Sequence, residues 1–388
     1  MNILIAIIIL GIIIFVHEFG HFIFAKIFKV PVREFSIGMG KRIISFVIGK
    51  TRYSLKLLPF GGSCAMIGED IAGSGDFTEE GGIVDKEKNI IDFDGVIYTI
   101  DEVEKNNFSV IAPIKKVIIC FSGPLFNIII GSICSIIIVY MIGVTKPTIN
   151  NVVENSPASN AKPISLEKGD TILELATYGS REKINLSEEI SLYMFINDEL
   201  FKTRKSPLHI KFKRNSEILE TVAYPEINEK ENRVMIGTGT GEIYKPDNFI
   251  ELIKYGLFEV KFYMDSTIKS LKLLIAGKFS PNEVSGPIGT VAVMGSAIKS
   301  ADSIKMTIIM ILSFISLISV NLAIMNLLPI PALDGGRILE SAIEMIIGHK
   351  LNEKIISYIN AISMGLLLLF MLWIFGMDIY KIFIGVYR

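Results

Sequence analysis

Four long apolar runs dominate the sequence and limit the folds that it can adopt. They extend from Met1 to about Ala25, from Val117 to Val144, from Met306 to Leu333 and from Ile355 to Met377. Each run is long enough to cross a bilayer as a helix, which takes about 20 apolar residues. Since only 50% of the 388 residues are hydrophobic and 20% are charged, soluble segments must accompany the spans. We therefore predict a multi-pass α-helical membrane protein with four spans.

The segments between these spans differ in character. Residues 31–116 start with a basic, alternating stretch that predicts a membrane-associated β hairpin, then break at residues 59–62 and continue as an acidic, solvated loop over residues 68–107. Residues 145–245 alternate short strands with turns around one helix at residues 187–201, which predicts an inserted β-rich domain. Residues 246–304 carry apolar residues at helical spacing between lysines, as in an amphipathic helix on the membrane surface or packed on the β-rich domain. Residues 1–30, 117–144 and 305–388 hold the first, the second, and the third and fourth spans.

Charge at the span ends predicts the orientation in a cell's inner (cytoplasmic) membrane. Most flanking Lys and Arg residues follow the first span, precede the second, or lie between the third and fourth. By the positive-inside rule, the hairpin region and the connection of the last two spans are cytoplasmic, and the β-rich domain is extracytoplasmic. The net charge of −1 gives no reason to expect nucleic acid as a partner. The expected partner is the lipid bilayer.

The first span contains an H-E-x-x-H motif, His17 to His21. Residues i and i+4 share one face of a helix, so both imidazoles can bind one Zn²⁺ while Glu18 acts as general base on the coordinated water. Ionisable groups within a span are costly and usually functional, which favours this interpretation over a polar cluster at the end of the span. The same residues, and the lack of a basic segment before them, favour a retained span over a signal peptide.

A catalytic zinc site needs a third protein ligand. With four spans, the C-terminal ends of spans one and three lie on the same side, and Asp334 stands at the end of span three among prolines and glycines that allow an irregular loop. Asp378 lies near the opposite side, His349 lies in a polar loop, and solvation explains Glu69 and Asp70. Asp334 is therefore the predicted ligand, and His349 is a weaker second candidate.

These motifs resemble the site-2 protease family of intramembrane zinc metalloproteases. Residues 17–21 and 326–336 carry the resemblance, together with residues 59–62, 122–127 and 285–289 in the same order. Residues 155–158 with Gly169 and Asp170 are similar to a PDZ domain, as in the bacterial regulator-of-sigma-factor branch. The Ala-Gly pair expected before that turn is replaced by residues 161–163, which puts peptide binding in the PDZ groove in question.

The resemblance implies a zinc site of His17, His21 and Asp334 with Glu18 as catalytic base. It implies that Asn326 contacts substrate backbone or an oxyanion, although a helix–helix hydrogen bond is an alternative role for Asn326 and for Asn127. The implied substrates are single-pass membrane proteins, such as anti-sigma factors or signal-peptide remnants, trimmed beforehand and admitted by the PDZ-like domain. Two other classes stay open: a zinc-binding membrane scaffold, which would not need Glu18, and a transporter, which the lack of an inverted repeat disfavours.

Overall fold

The computed structural model describes residues 2–69, 82–228, 233–278 and 286–384. Within these described ranges, four helices are long and apolar enough to cross a membrane: α1 (Asn2–Ile27), α3 (Pro113–Ile142), α8 (Ile304–Asn326) and α10 (Glu353–Phe383). They confirm the four predicted apolar helices. The third helix ends at Asn326, and the rest of the apolar run to Leu333 is irregular, as predicted from its prolines. Pro329 and Pro331 lack backbone N–H groups and disfavour helical geometry in the residues before them.

The chain divides into two compact units, and the division falls within α3. A helical unit comprises Met1–Gly131 and Phe279–Arg388, and a β-rich unit comprises Ser132–Lys278. In the helical unit, α1 packs against α7 (Pro287–Lys299) through Ile9, Ile13 and Met294. The helix α9 (Asp334–Ile347) follows the irregular segment after α8.

A long antiparallel hairpin, β1 (Val32–Ile48) and β2 (Thr51–Met66), confirms the predicted hairpin in the helical unit. Residues 59–62 do not break β2 as expected. Gly61 adopts a φ of 84°, which glycine reaches without strain, so the strand bends and continues. In the register, Ile37 of β1 faces both Gly62 and Leu55. The first half of β1 therefore lies between the two halves of β2, which leaves residues 62–66 with a strand neighbour on one side only among the described residues.

The segment predicted as a solvated acidic loop is partly folded. It contains β3 (Ile83–Asp85), β4 (Ile90–Phe93), β5 (Val96–Thr99) and α2 (Ile100–Asn106), and residues 70–81 lie outside the described residues. Val96, Tyr98 and Val103 form a small buried core. Arg42 on the hairpin bonds Asp94 at 2.6 Å, and Lys50 bonds Glu102 at 2.5 Å. Acidic residues of this segment thus pair with the basic hairpin, beside the small apolar core.

The β-rich unit is built on a sheet with strand order β10-β9-β7-β6-β13, and β8 pairs with β7. The strands are β6 (Val144–Val152), β7 (Thr171–Thr177), β8 (Ser180–Lys183), β9 (Leu208–Arg214), β10 (Glu217–Ala223) and β13 (Thr238–Tyr244), with β11 (Glu226–Asn228) and β12 (Arg233–Met235) as a separate pair. The single helix predicted at residues 187–201 is two, α4 (Ser187–Ile196) and α5 (Asp198–Arg204), divided at Asn197. Ile172, Leu175, Tyr193 and Phe212 lie in one apolar core. The predicted amphipathic helix is α6 (Phe249–Ile275).

Candidate metal centre

The two histidines of the H-E-x-x-H motif face each other on α1. Their Nε2 atoms are 3.2 Å apart, and both residues are buried. The spacing of four residues places both rings on one helix face, as expected from the helical period. His21 Nδ1 lies 2.8 Å from the carbonyl oxygen of Ile119 on α3. A carbonyl only accepts, so Nδ1 carries a proton, and Nε2 is the ring nitrogen that faces His17 and Asp334.

Asp334, the first residue of α9, completes the group. Its Oδ2 lies 3.1 Å from His17 Nε2, and its Oδ1 lies 3.4 Å from His21 Nε2. Gly335 and Gly336 allow this approach, because a Cβ on either would collide with backbone carbonyls of the segment that follows α8. A close turn, made without side chains, therefore carries the carboxylate to the histidines.

These three groups fit a tetrahedral zinc ion. Ligand atoms at bonds of about 2.0–2.1 Å lie about 3.3 Å from each other at the corners of a tetrahedron. The three measured separations, 3.1, 3.2 and 3.4 Å, agree with that edge. Asp334 Oδ2 makes no hydrogen bond among the described residues although it is buried, as expected for an atom directed at a common centre. No other group of described residues meets the same ligand criterion.

A cavity of about 140 Å³ opens beside the three groups. Glu18, Asn326 and Cys64 line it together with the ligand candidates. Asn326 Nδ2 lies 3.1 Å from His17 Nε2. The free-edged end of β2 contributes Cys64 and Met66 to the wall. The site thus holds a carboxylate, an amide and a strand edge around one small space.

The helix α3 supports the site from behind. Gly123 faces both imidazoles so closely that a Cβ would collide with His21 and lie 2.9 Å from His17 Cε1. Likewise, a Cβ on Gly20 of α1 would lie 2.5 Å from the carbonyl oxygen of Ser122. Asn127 Nδ2 lies 3.2 Å from His17 Nδ1. Neither Gly123 nor the Ile119 carbonyl was predicted at the site, although Gly123 belongs to the 122–127 motif.

A buried ion pair, also missed from the sequence, separates the site from a second cavity. Arg337 donates to Glu69, and both side chains are almost fully buried. Glu69 lines the metal cavity and also a polar cavity of about 360 Å³ that Lys116, Arg337 and Glu344 line. Burial raises the pKa of Glu69, and Arg337 opposes that shift. Burial alone would raise the pKa of Asp334 as well, but the two histidines hold it well below its ordinary value.

The competing ligand candidates lie elsewhere. Asp378 on α10 is fully buried and accepts hydrogen bonds from the backbone N–H groups of Gly286 at 3.0 Å and Gly289 at 2.9 Å, so it holds the start of α7. His349 is exposed and bonds the Lys350 carbonyl at 3.0 Å. Asp70 lies outside the described residues. Neither Asp378 nor His349 joins the ligand group.

Apolar helices that bring an H-E-x-x-H pair and a distant aspartate to one point define a membrane zinc metallopeptidase. The chain belongs to peptidase family M50, the family of the site-2 proteases, whose model matches residues 5–370. It is 31% identical over 371 residues to a Clostridium acetobutylicum protein named among the zinc metalloproteases, covering 96% of this chain and 95% of that one. It is also 27% identical over 434 residues to the zinc metalloprotease RasP of Geobacillus kaustophilus, covering 97% of each.

Family membership decides between the classes that the sequence left open. The protein is a zinc-dependent metalloprotease and a multi-pass membrane protein, which confirms the predicted enzyme class, cofactor and family resemblance. A zinc-binding scaffold and a transporter are both excluded as its primary class.

Proposed function

We propose that the protein hydrolyses peptide bonds in or beside the transmembrane segments of single-pass membrane proteins. Within that proposal, His17, His21 and Asp334 are the zinc ligands and Glu18 is the general base. The observation that supports it most directly is the convergence of the three ligand atoms, all within 4.8 Å of one another, beside a cavity that Glu18 also lines.

The side chains divide the work of hydrolysis. When bound, zinc polarises a carbonyl and lowers the pKa of a coordinated water toward ~7. Glu18, next to His17 in sequence and facing the same cavity, takes a proton from water and later delivers it to the leaving amine. The hydrogen bond from His21 to the Ile119 carbonyl fixes the tautomer that leaves Nε2 available.

Cleavage of a model single-pass substrate in detergent tests the role of Glu18. We expect Glu18→Gln to reduce the rate by at least about 10²–10⁴-fold, the usual contribution of a general base, while bound zinc stays at the wild-type level. Wild-type rates for Glu18→Gln would remove Glu18 from the mechanism.

Asn326 is the proposed substrate-binding residue. Its amide lines the cavity within 3.1 Å of His17 Nε2, where it can donate to a substrate carbonyl or to developing negative charge. Asn326→Ala is expected to lower kcat with zinc unchanged. Unaltered kinetics with reduced thermal stability would instead support a helix–helix hydrogen bond.

The strand edge at residues 62–66 is the proposed docking position for an unwound substrate. Helical peptide bonds are protected by their own hydrogen bonds, and an extended segment can replace these by pairing with a free strand edge. The edge residues Cys64 and Met66 lie at the metal cavity. Glycines placed near the scissile bond should therefore accelerate cleavage. Equal rates with leucines there would argue against local unwinding.

The proposed location is the cytoplasmic membrane, with the metal centre toward the cytoplasm and the β-rich unit outside. The basic span flanks support this orientation. A cysteine introduced at the exposed position Lys205 of the β-rich unit should react with a membrane-impermeant maleimide on intact spheroplasts. Labelling only after permeabilisation would reverse the orientation.

The β-rich unit is proposed to be a PDZ-like filter that admits pre-trimmed substrates, such as cut anti-sigma factors or signal-peptide remnants. Its segment at residues 161–163 makes only an isolated bridge, Lys162 with Val222, and not a regular strand, which argues for exclusion by size over peptide capture in a groove. Deleting residues 150–240 should permit cleavage of untrimmed substrates. Continued rejection of them would contradict the filter.

A further inference from the structure

Asn127 on α3 is fully buried, and its side-chain amide has one hydrogen-bonding contact among the described residues. Its Nδ2 lies 3.2 Å from Nδ1 of His17. Its Oδ1 is buried and has no hydrogen-bond partner among the described residues. A buried amide oxygen without a partner is costly, so its surroundings must satisfy it in the functional state.

The tautomer of His17 supplies that partner. His17 presents Nε2 to Asp334 and His21, so a metal at their common point takes the Nε2 lone pair and leaves the proton on Nδ1. Two donors would then face each other, the Nδ1–H of His17 and the Nδ2–H of Asn127. Exchanging the two amide atoms, a half-turn of the last side-chain torsion, places Oδ1 opposite Nδ1–H and pairs an acceptor with that donor.

We propose that Asn127 is a positioning residue that accepts a hydrogen bond from His17 Nδ1–H through Oδ1 and so holds His17 as a zinc ligand. This inference rests on the proposed ligation by His17. It gives the two histidines equivalent supports on one helix, since the Ile119 carbonyl does the same for His21. Ile119, Gly123 and Asn127 are spaced by four residues and share one face of α3.

That face has the shape that the proposed role needs. Acceptors stand at its two ends, and Gly123 between them leaves room for both rings. An interhelical packing role for Asn127 would need a partner on another helix for its oxygen, and the described residues offer none. Ser316 provides the contrast, because its hydroxyl bonds the Gly131 carbonyl across α8 and α3 at 3.0 Å.

Zinc affinity of the full-length protein, measured by chelator competition and by Co²⁺ absorption, tests the role. Asn127→Leu keeps the side-chain size and removes the acceptor, and we expect zinc binding to weaken about 10- to 100-fold, as for other residues that orient a ligand. Asn127→Asp keeps an acceptor, and its affinity should stay within about threefold of wild type. Ser316→Ala, the matched control, should bind zinc as wild type does.

The order of the zinc affinities of the Asn127 variants distinguishes a hydrogen-bond acceptor from a residue that only packs. Wild-type affinity in Asn127→Leu, or equal losses in the Leu and Asp variants, would overturn the proposal, since only an acceptor role favours Asp. His17→Ala distinguishes the two levels of inference. Full zinc retention in that variant would remove His17 from the ligand set, and Asn127 with it. Loss of zinc there, with wild-type affinity in Asn127→Leu, would leave the ligand set intact and overturn only the role of Asn127.

Discussion

Two aspartates that are largely out of solvent, Asp170 in the β-rich unit and Asp334 in the helical unit, are satisfied in opposite ways. In the β-rich unit, Asp170 is 1% exposed and receives Arg214 Nε and NH2 at 2.7 Å each, with the Glu167 N–H at 2.8 Å. In the helical unit, Asp334 faces two imidazoles and keeps one oxygen without a hydrogen bond. The protein supplies a permanent cation for Asp170, whereas Asp334 faces only two imidazoles, the ring type that binds a metal ion.

The surroundings differ in the same sense. The core of the β-rich unit is a continuous apolar cluster that includes Ile149, Leu175 and Phe212. In the helical unit, the buried His17 and His21 line the metal cavity, and Asp334 Oδ2 beside them has no hydrogen bond among the described residues. Buried polarity that the fold completes contributes to stability, and buried polarity that it leaves open marks a functional site.

Removing Asp334 should have the largest effect. We expect Asp334→Ala to lose stoichiometric zinc and all measurable cleavage, because two histidines alone do not complete a catalytic site. Zinc by elemental analysis and substrate cleavage are the measurements. Asp378→Asn is the matched control, a buried aspartate in the same unit, and should keep zinc. Zinc retained by Asp334→Ala, or lost from Asp378→Asn, would erase the distinction between the two carboxylates.

Removing Asp170 should destabilise the β-rich unit and leave the metal centre intact. Asp170→Ala leaves Arg214 half-buried without its main partner, and we expect the β-rich unit to lose about 2–3 kcal/mol. Hydrogen exchange of the β7 and β9 amides in the full-length protein should accelerate accordingly, and bound zinc should be unchanged. Exchange rates equal to wild type would show that Asp170 contributes little to the fold.

A methyl group at Gly123 should test how tightly α3 supports the site. Gly123→Ala forces a Cβ against His21 and His17, and overpacking of this kind costs about 1–3 kcal/mol. We expect at least about tenfold weaker zinc binding by the same energetic scale. Gly131→Ala lies on the same helix and would press on Val320 instead. Equal zinc affinity in the two variants would mean that α3 yields freely behind the histidines.

Local sequence signals predicted the spans, the hairpin and the histidine pair, because each depends on residues close in the chain. The apolar runs have the length of a bilayer, and positions i and i+4 share a helix face without tertiary information. Asp334 could be inferred only through topology, as the ends of two spans on one side. The end of α8 follows from Pro329 and Pro331, because neither they nor the residues before them favour helical geometry.

Features that depend on distant contacts could not be predicted. Asn127 and His17 are 110 residues apart, and Arg337 and Glu69 are 268 apart, so no periodicity joins them. The strands of the acidic segment are only three or four residues long. Their stability comes from a small core and from ion pairs with the hairpin, which tertiary structure alone reveals.

The smallest expected effect concerns a carboxylate in the β-rich unit that departs from the pattern of Asp170. Glu259 on α6 keeps Oε2 buried without a hydrogen bond among the described residues, and burial and the nearby Glu188 raise its pKa from 4.5 to about 8, against a hydrogen bond to Ser135. Glu259 also interacts electrostatically with Tyr263 and contributes to the raised pKa of that phenol. The folded unit therefore favours the protonated acid.

A raised pKa in the folded state has a definite sign in stability. Between pH 4.5 and about 8 the unfolded chain releases this proton and the folded chain keeps it, so stability falls as pH rises and levels off above that range. Across this interval the free energy of unfolding of the wild type should fall by on the order of 2 kcal/mol, and Glu259→Gln should abolish that fall. The measurement is hydrogen exchange or thermal unfolding at pH 5 and pH 8, with the exposed Glu242→Gln as control. An unchanged pH dependence in Glu259→Gln would mean that Glu259 ionises within the folded unit. The β-rich unit would then tolerate a buried charge without a partner, unlike the surroundings of Asp334.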